Sequence, residues 1–311
     1  MSRPKVVVAG AGGMLGHMVL DVLSRESGLS LVATARSLKT VGAAASALPS
    51  VEWRKLDAET ASAADLSRVL EGAAYAVNCI GLIKQRMGTD DPASVERAIL
   101  VNALFPQRLG RAAQACGVRV LQIATDCVYS GLKGGYVESD AHDALDVYGK
   151  TKSLGECGLE SMRHLRCSII GPEVSGGLSL LGWFLSQPKG ARLNGFTNHR
   201  WNGVTTLHFA KACAGIIKTG SEPGRLQHLV PDDVATKHEL LRLFARVYGR
   251  EDLVVAPVEA KAFVDRTLAT GNPGVNAAIW KAAGYAAAPT VSQMVEELAA
   301  YRSLVVGRSK T

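Results

Sequence analysis

No stretch of this 311-residue chain approaches the about eighteen uninterrupted apolar residues of a membrane helix, so no bilayer span is expected. Paired cysteines are missing too. Cys79, Cys116, Cys127, Cys157, Cys167 and Cys213 are scattered, with no CxxC among them. That argues against a zinc site or a disulfide framework and leaves reduced, mostly buried thiols. Nor is there any run of four or more Lys or Arg, although the net charge is +7. A nucleic-acid groove would need such clustering. Dispersed positive charge instead suits ligands that carry phosphates, whose encounter it favours. Only Met-Ser-Arg-Pro precedes the first strand-like run at Lys5. That leaves no room for a secretory signal and points to the cytoplasm.

What is present is enough apolar material, 47%, for one large domain or two modest ones. Short β-branched runs at 5–9, 30–35, 51–54, 75–79, 118–123 and 165–170 predict strands. Amphipathic patterns at 14–24, 61–70, 93–116 and 147–163 predict helices between them. This alternation predicts an α/β fold with a Rossmann-type, doubly wound parallel sheet in residues 1–170. After Gly171-Pro172 turn residues become dense, with helical patterns at 178–186, 207–218, 237–248, 260–267 and 292–303. Residues 171–311 therefore read as a smaller, mixed α/β substrate lobe. Its segment within 201–230 is expected to pack back on the first domain.

The glycine pattern GxGxxG is absent, because position 15 is Leu. Gly10, Gly13 and Gly16 instead spell GxxGxxG between the first strand and first helix. Such a turn brings backbone close to a pyrophosphate and aims a helix N-terminus at it. Met14 and Leu15, in the same turn, join the expected cofactor contacts; Gly12 and His17 read as incidental. Also absent is the acidic residue that would meet a ribose 2′-hydroxyl after the second strand. Arg36 and Ser37 stand there, favouring a 2′-phosphate and hence NADP(H), with NAD(H) as the alternative. Asp57 is a candidate contact to the adenine.

Tyr148 and Lys152 lie four apart in "DVYGKTKSLGE", on one face of a helix. A neighbouring ammonium favours a phenolate, which would make Tyr148 a general acid–base. Thr125 ends the apolar run "VRVLQIAT", where its hydroxyl can meet a substrate carbonyl. Asn102 sits inside a helical pattern that does not favour Asn. It is grouped with the cofactor site as a buried, hydrogen-bonded support.

Together, "GAGGMLG", the strand-end Thr125 and the YxxxK of Tyr148 and Lys152 resemble the extended short-chain dehydrogenase/reductases. Within them the chain is similar to the dTDP-4-dehydrorhamnose reductase family, through "VNALFPQRLGRAA" and "ATDCVYSGLKGGYVESDAHDALDVYGKTKSLGE". The resemblance implies reduction of a 4-keto-6-deoxy nucleotide sugar, with Tyr148 as proton donor. It further implies that Lys152 holds the nicotinamide ribose and lowers the Tyr148 pKa, while Thr125 orients the carbonyl. Departures fall at Ala124, Cys127 and Tyr129-Ser130, on the expected substrate side. Asp126, Cys127, His199 and Arg200 are the candidate substrate contacts. The implied partner is a nucleotide-diphosphate sugar, with a homodimer left open. A nucleotide-sugar epimerase or dehydratase, or a non-catalytic NADP-binding regulatory subunit, remain alternatives.

Overall fold

The structure is a computed structural model that describes residues 3–88, 90–174 and 177–305; residues 306–311 of the expected second lobe lie outside them. The strands are β1 (Lys5–Ala9), β2 (Ser30–Ala35), β3 (Glu52–Lys55), β4 (Ala73–Asn78), β5 (Arg119–Ala124), β6 (Met162–Arg166) and β7 (Ile169–Ile170). Then follow β8 (Arg192–Phe196), β9 (His199–Trp201), β10 (Val204–Thr205), β11 (Leu226–His228), β12 (Ala235–Thr236), β13 (Val254–Val258) and β14 (Val264–Asp265). The helices are α1 (Met14–Ser24), α2 (Gly42–Ala47), α3 (Ala63–Leu70), α4 (Pro92–Ala98), α5 (Phe105–Cys116) and α6 (Val147–Leu154). Beyond them lie α7 (Leu180–Leu185), α8 (Thr206–Thr219), α9 (Lys237–Val247), α10 (Pro273–Ala282) and α11 (Val291–Ala300).

Seven strands form one sheet in the order β11-β6-β5-β4-β1-β2-β3, every pair parallel. The continuous Val6-Val7-Val8 run belongs to such a sheet because both its faces are covered. Val6 and Val8 join the core beneath α1 and α8, and Val7 joins the core beneath α3 and α5. Residues 206–228 thus return to the sheet, supplying α8 on one face and β11 at one edge. The smaller elements β8–β13, β12-β9-β14 and β7–β10 are separate short sheets, with α7 and α9 joined by the Phe184–Phe244 ring contact at 5.6 Å. Among the described residues no helix is long and apolar enough to cross a membrane.

Three expectations are corrected. The helix expected over 147–163 stops at Leu154, because "GECG" combines two poor helix formers and Met162–Arg166 is a strand hydrogen-bonded on both sides. The strand expected over 165–170 divides into β6 and β7, which belong to different sheets. The helix expected over 260–267 is loop plus β14. There the Asp265 N–H donates to the Gly131 carbonyl at 2.7 Å, and the Thr267 N–H donates to the Asp265 carboxylate at 3.0 Å. These donors are satisfied outside any helix, so apolar spacing alone misled. Helix α10 was not anticipated; Pro273 sits in its first turn, where proline is tolerated.

Candidate active site

All strands of a parallel sheet end on the same edge, so the segments that follow them collect there. Gly10 follows β1 and turns the chain with φ +80°, a left-handed conformation that favours glycine. A Cβ at Gly16 would lie 2.7 Å from the Gly10 carbonyl carbon and 2.9 Å from Ala11 Cα, so α1 begins in direct backbone contact with the turn. Thr34 on β2 fixes the turn from the side, its hydroxyl accepting from the Gly10 N–H at 3.1 Å. His17 is not incidental: it is fully buried and donates Nδ1–H to the Gly13 carbonyl at 2.9 Å. Gly13 is the N-cap of α1 with no side-chain cap, so the turn around Met14, Leu15 and Gly16 can present N–H groups to a phosphate.

Arg36 is exposed immediately after β2, with no ion pair or hydrogen bond to its side chain among the described residues. Ser37 follows it, its carbonyl accepting from Thr40. The Leu56 N–H donates to the Ala35 carbonyl at 3.0 Å, which brings Asp57 alongside Arg36. One Asp57 oxygen is already used by the Glu59 N–H at 3.0 Å.

Asn102 occupies a π-helical segment, Ile99–Leu104, between α4 and α5. Its amide oxygen accepts from the Leu82 N–H at 2.8 Å, and its nitrogen donates to the Leu82 carbonyl at 3.0 Å. The amide nitrogen also donates to Thr151 Oγ1 at 3.4 Å, so Asn102 ties the Leu82 backbone to α6. Asn102 is thus the buried, hydrogen-bonded support expected of it, clamping the loop after β4. That loop borders Lys152, whose Nζ lies 4.0 Å from where a Gly81 Cβ would be.

Thr125 directly follows β5, buried, with its hydroxyl donating to Asp126 Oδ1 at 3.2 Å and accepting from the Cys127 N–H at 3.2 Å. Tyr148 and Lys152 project from α6, which Asp146 caps by accepting from the Gly149 N–H at 2.8 Å. Lys152 is only 7% exposed and donates to the Ile123 carbonyl at 3.1 Å. Burial pushes the Tyr148 phenol above its ordinary value; Cys127, Asp126 and Asp146 push the same way, and a hydrogen bond with Thr125 opposes them. Burial likewise pulls the Lys152 ammonium down, against the field of Glu156. Desolvation is thus the largest influence on the phenol here, acting against the lowering that the resemblance implies from Lys152.

Asp126 and Cys127 adjoin this group. Burial raises Asp126 against the pull of Arg266, and burial pushes the Cys127 thiol up to about 12. His199 and Arg200 lie on β9 and engage elsewhere: His199 Nε2 meets the Ala262 carbonyl at 3.0 Å, and Arg200 pairs with Asp265 at 3.2 Å. Tyr129 and Ser130, the departures expected on the substrate side, are each held by the fold. Tyr129 is fully buried with its hydroxyl donating to the Val137 carbonyl, and Ser130 is held by Asp143 at 2.6 Å. Arg266 went unnoticed in the sequence because its segment read as a helix. From just past β14 it donates Nε to the Tyr129 carbonyl at 2.9 Å, and its charge acts on Asp126, Asp143 and Asp146. Among the described residues no group of three or more His, Cys, Asp or Glu could hold a metal ion.

A family model described as RmlD substrate binding domain matches residues 4–170. A dTDP-4-dehydrorhamnose reductase of Streptomyces griseus is 32% identical over 156 residues, 50% of this chain and 44% of that protein. One from Mycobacterium tuberculosis H37Rv is 30% identical over 160 residues, 49% of this chain and 44% of that protein. The chain thus spans less than half the length of these curated relatives. Among solved structures, the dTDP-4-dehydrorhamnose reductase of Bacillus anthracis in complex with NADP superposes with TM-score 0.73 at 16% identity, over 95% of this chain and 98% of that one. A point mutant of UDP-glucuronic acid 4-epimerase from Bacillus cereus, with a fluorinated UDP-sugar and NAD, gives TM-score 0.71 at 16% identity, over 96% and 98%. At such identities these likenesses show the shared fold.

Proposed function

This chain belongs to the RmlD substrate-binding-domain family, and from that membership we propose that it is an NADP(H)-dependent reductase of a 4-keto-6-deoxy nucleotide sugar. One observation carries the reading: Tyr148 and Lys152 share α6 beside Thr125, on the same sheet edge as the glycine turn. The residues fit the cofactor. The turn at Gly10, Gly13 and Gly16 has no side chain to fill a phosphate cradle, α1 is uncapped, and Arg36 stands free beside Asp57. Gly10, Gly13, Met14, Leu15 and Gly16 would hold the pyrophosphate, Arg36 and Ser37 the 2′-phosphate, and Asp57 the adenine. A bound nicotinamide supplies the hydride.

Tyr148 delivers the proton to the keto oxygen of the sugar. A phenol pushed upward by burial stays protonated through the neutral range, as a donor must. Thr125 turns its hydroxyl from Asp126 to the same oxygen and fixes its direction. As Tyr148 becomes phenolate, the Lys152 ammonium offsets the new charge, which low local polarity makes more effective. In this reading Asp126 and Cys127 border the sugar, supported by their position next to Thr125, and the Arg266 charge acts on both.

NADPH absorbance loss with 4-keto-6-deoxy sugars carrying dTDP, UDP or GDP tests the proposal; turnover with one of them is expected. Tight NADPH binding without turnover on any of them would instead assign a regulatory subunit. Stoichiometric NAD retained through purification would assign an epimerase. The 2′-phosphate role has its own check. Arg36→Glu is expected to move preference from NADPH toward NADH by about tenfold or more, the scale of one charge-assisted hydrogen bond. An unchanged ratio of the two affinities would remove Arg36 from the site.

A further inference from the structure

The loop after β4 touches both ends of the proposed cofactor site. At its start Ile80 lies against the glycine turn, where a Cβ on Gly10 would stand 2.7 Å from Ile80 Cγ1. One residue on, Gly81 borders Lys152, and the Leu82 backbone is tied to Asn102. A dinucleotide reaching from the turn to Lys152 would therefore run alongside this loop. Beyond Leu82 comes a 3₁₀ turn, Lys84–Arg86, in which the Met87 N–H donates to the Lys84 carbonyl at 3.1 Å. From that turn Lys84 Nζ donates to Asp146 Oδ2 at 3.0 Å. Among the described residues this is the one hydrogen bond or ion pair that joins residues 79–88 to α6 or its cap. Asp146 divides its two oxygens between two tasks. Oδ1 caps α6 at the Gly149 N–H, and Oδ2 takes the lysine.

The Lys84 side chain is 59% exposed and that of Asp146 31%. An ion pair so open to water adds little to folding. It does decide where the far part of the loop lies relative to Tyr148, two residues beyond Asp146. We propose that Lys84 is a positioning residue, its ammonium latching the loop after β4 to the head of α6 and closing that loop along the bound dinucleotide. Asn102 anchors the loop at Leu82, so breaking the pair frees the segment beyond it and leaves the anchor in place. The inference rests on the reading of the glycine turn as the cofactor site, but its test does not need turnover.

The rate of NADPH release, followed by stopped-flow displacement, tests it in two variants that each open the latch. Lys84→Met removes the ammonium. Asp146→Asn removes the carboxylate charge yet keeps the helix cap, because asparagine caps as well as aspartate. Both are expected to release NADPH about two- to fivefold faster than the wild type, the range that exposed ion pairs supply. The double variant should release it no faster than either single one, since the pair can be lost only once. Lys84→Arg should restore slow release, and the melting temperature should scarcely change in any of them. Raising the ionic strength from about 0.01 to 0.15 M should speed release more in the wild type than in the variants. A simple change of charge near an anionic cofactor predicts a different pattern. Losing a cation would speed release, and losing an anion would slow it. Rates that move in opposite directions in the two variants, or that do not move, overturn the proposal. If the wild type binds neither NADPH nor NADH, the reading of the glycine turn fails and takes this inference with it. If it binds NADPH and the variants release it at the wild-type rate, this inference alone fails.

Discussion

Tyr148→Phe is expected to cut kcat by about a hundred- to ten-thousandfold, the range that general acid–base groups supply. NADPH affinity should stay nearly unchanged, because the phenol's partner is Thr125 and the glycine turn is built from other segments. Stopped-flow reduction together with fluorescence titration of NADPH separates the two. Activity retained within a few-fold would remove Tyr148 as proton donor. The pH dependence has a defined sign. Burial moves the phenol up and the Lys152 ammonium down. On the alkaline side, the first proton lost is therefore the lysine's. Rising pH should abolish activity through Lys152 before the phenol ionises.

Gly16→Ala should damage the fold and the cofactor site together. The new methyl would stand 2.7 Å from the Gly10 carbonyl carbon and 2.9 Å from Ala11 Cα, and backbone cannot step aside as a side chain can. Overpacking of this kind costs about 3 kcal/mol, or roughly 6 °C in Tm for a chain of this size. NADPH binding should weaken by at least about tenfold as α1 moves off the turn. Gly12→Ala is the control. Its Cβ meets only Val41 Cγ1, at 3.5 Å, so the melting temperature should scarcely change. Equal losses in the two variants would show that the loop tolerates neither methyl and that the Gly10–Gly16 approach is not the reason.

Much of this site is legible in the chain because its signals are local. The end of β1, the glycine turn and the start of α1 follow from residues within one stretch, and the predicted bounds 5–9 and 14–24 are those observed. Tyr148 and Lys152 are likewise related by helical spacing alone. Asn102 shows where that reasoning stops. Its polarity within a helix was visible, but its partner, the Leu82 backbone, lies on another segment. Arg266 was hidden because an apolar pattern over 260–267 fits a helix as well as a loop and a two-residue strand. His199 and Arg200 look available in sequence and are engaged with Ala262 and Asp265 in the fold.

By itself, then, the sequence determined the parallel α/β architecture, the glycine turn and the one-turn spacing of Tyr148 and Lys152, since periodicity and glycine spacing act over a few residues. Only the tertiary structure decided the electrostatics around them. It placed Arg166 against Glu156, set Arg266 among three carboxyl groups and buried the Tyr148 phenol, where desolvation acts to raise it. Desolvation and charge pairing depend on which distant segments come together to exclude water, and no local pattern encodes that.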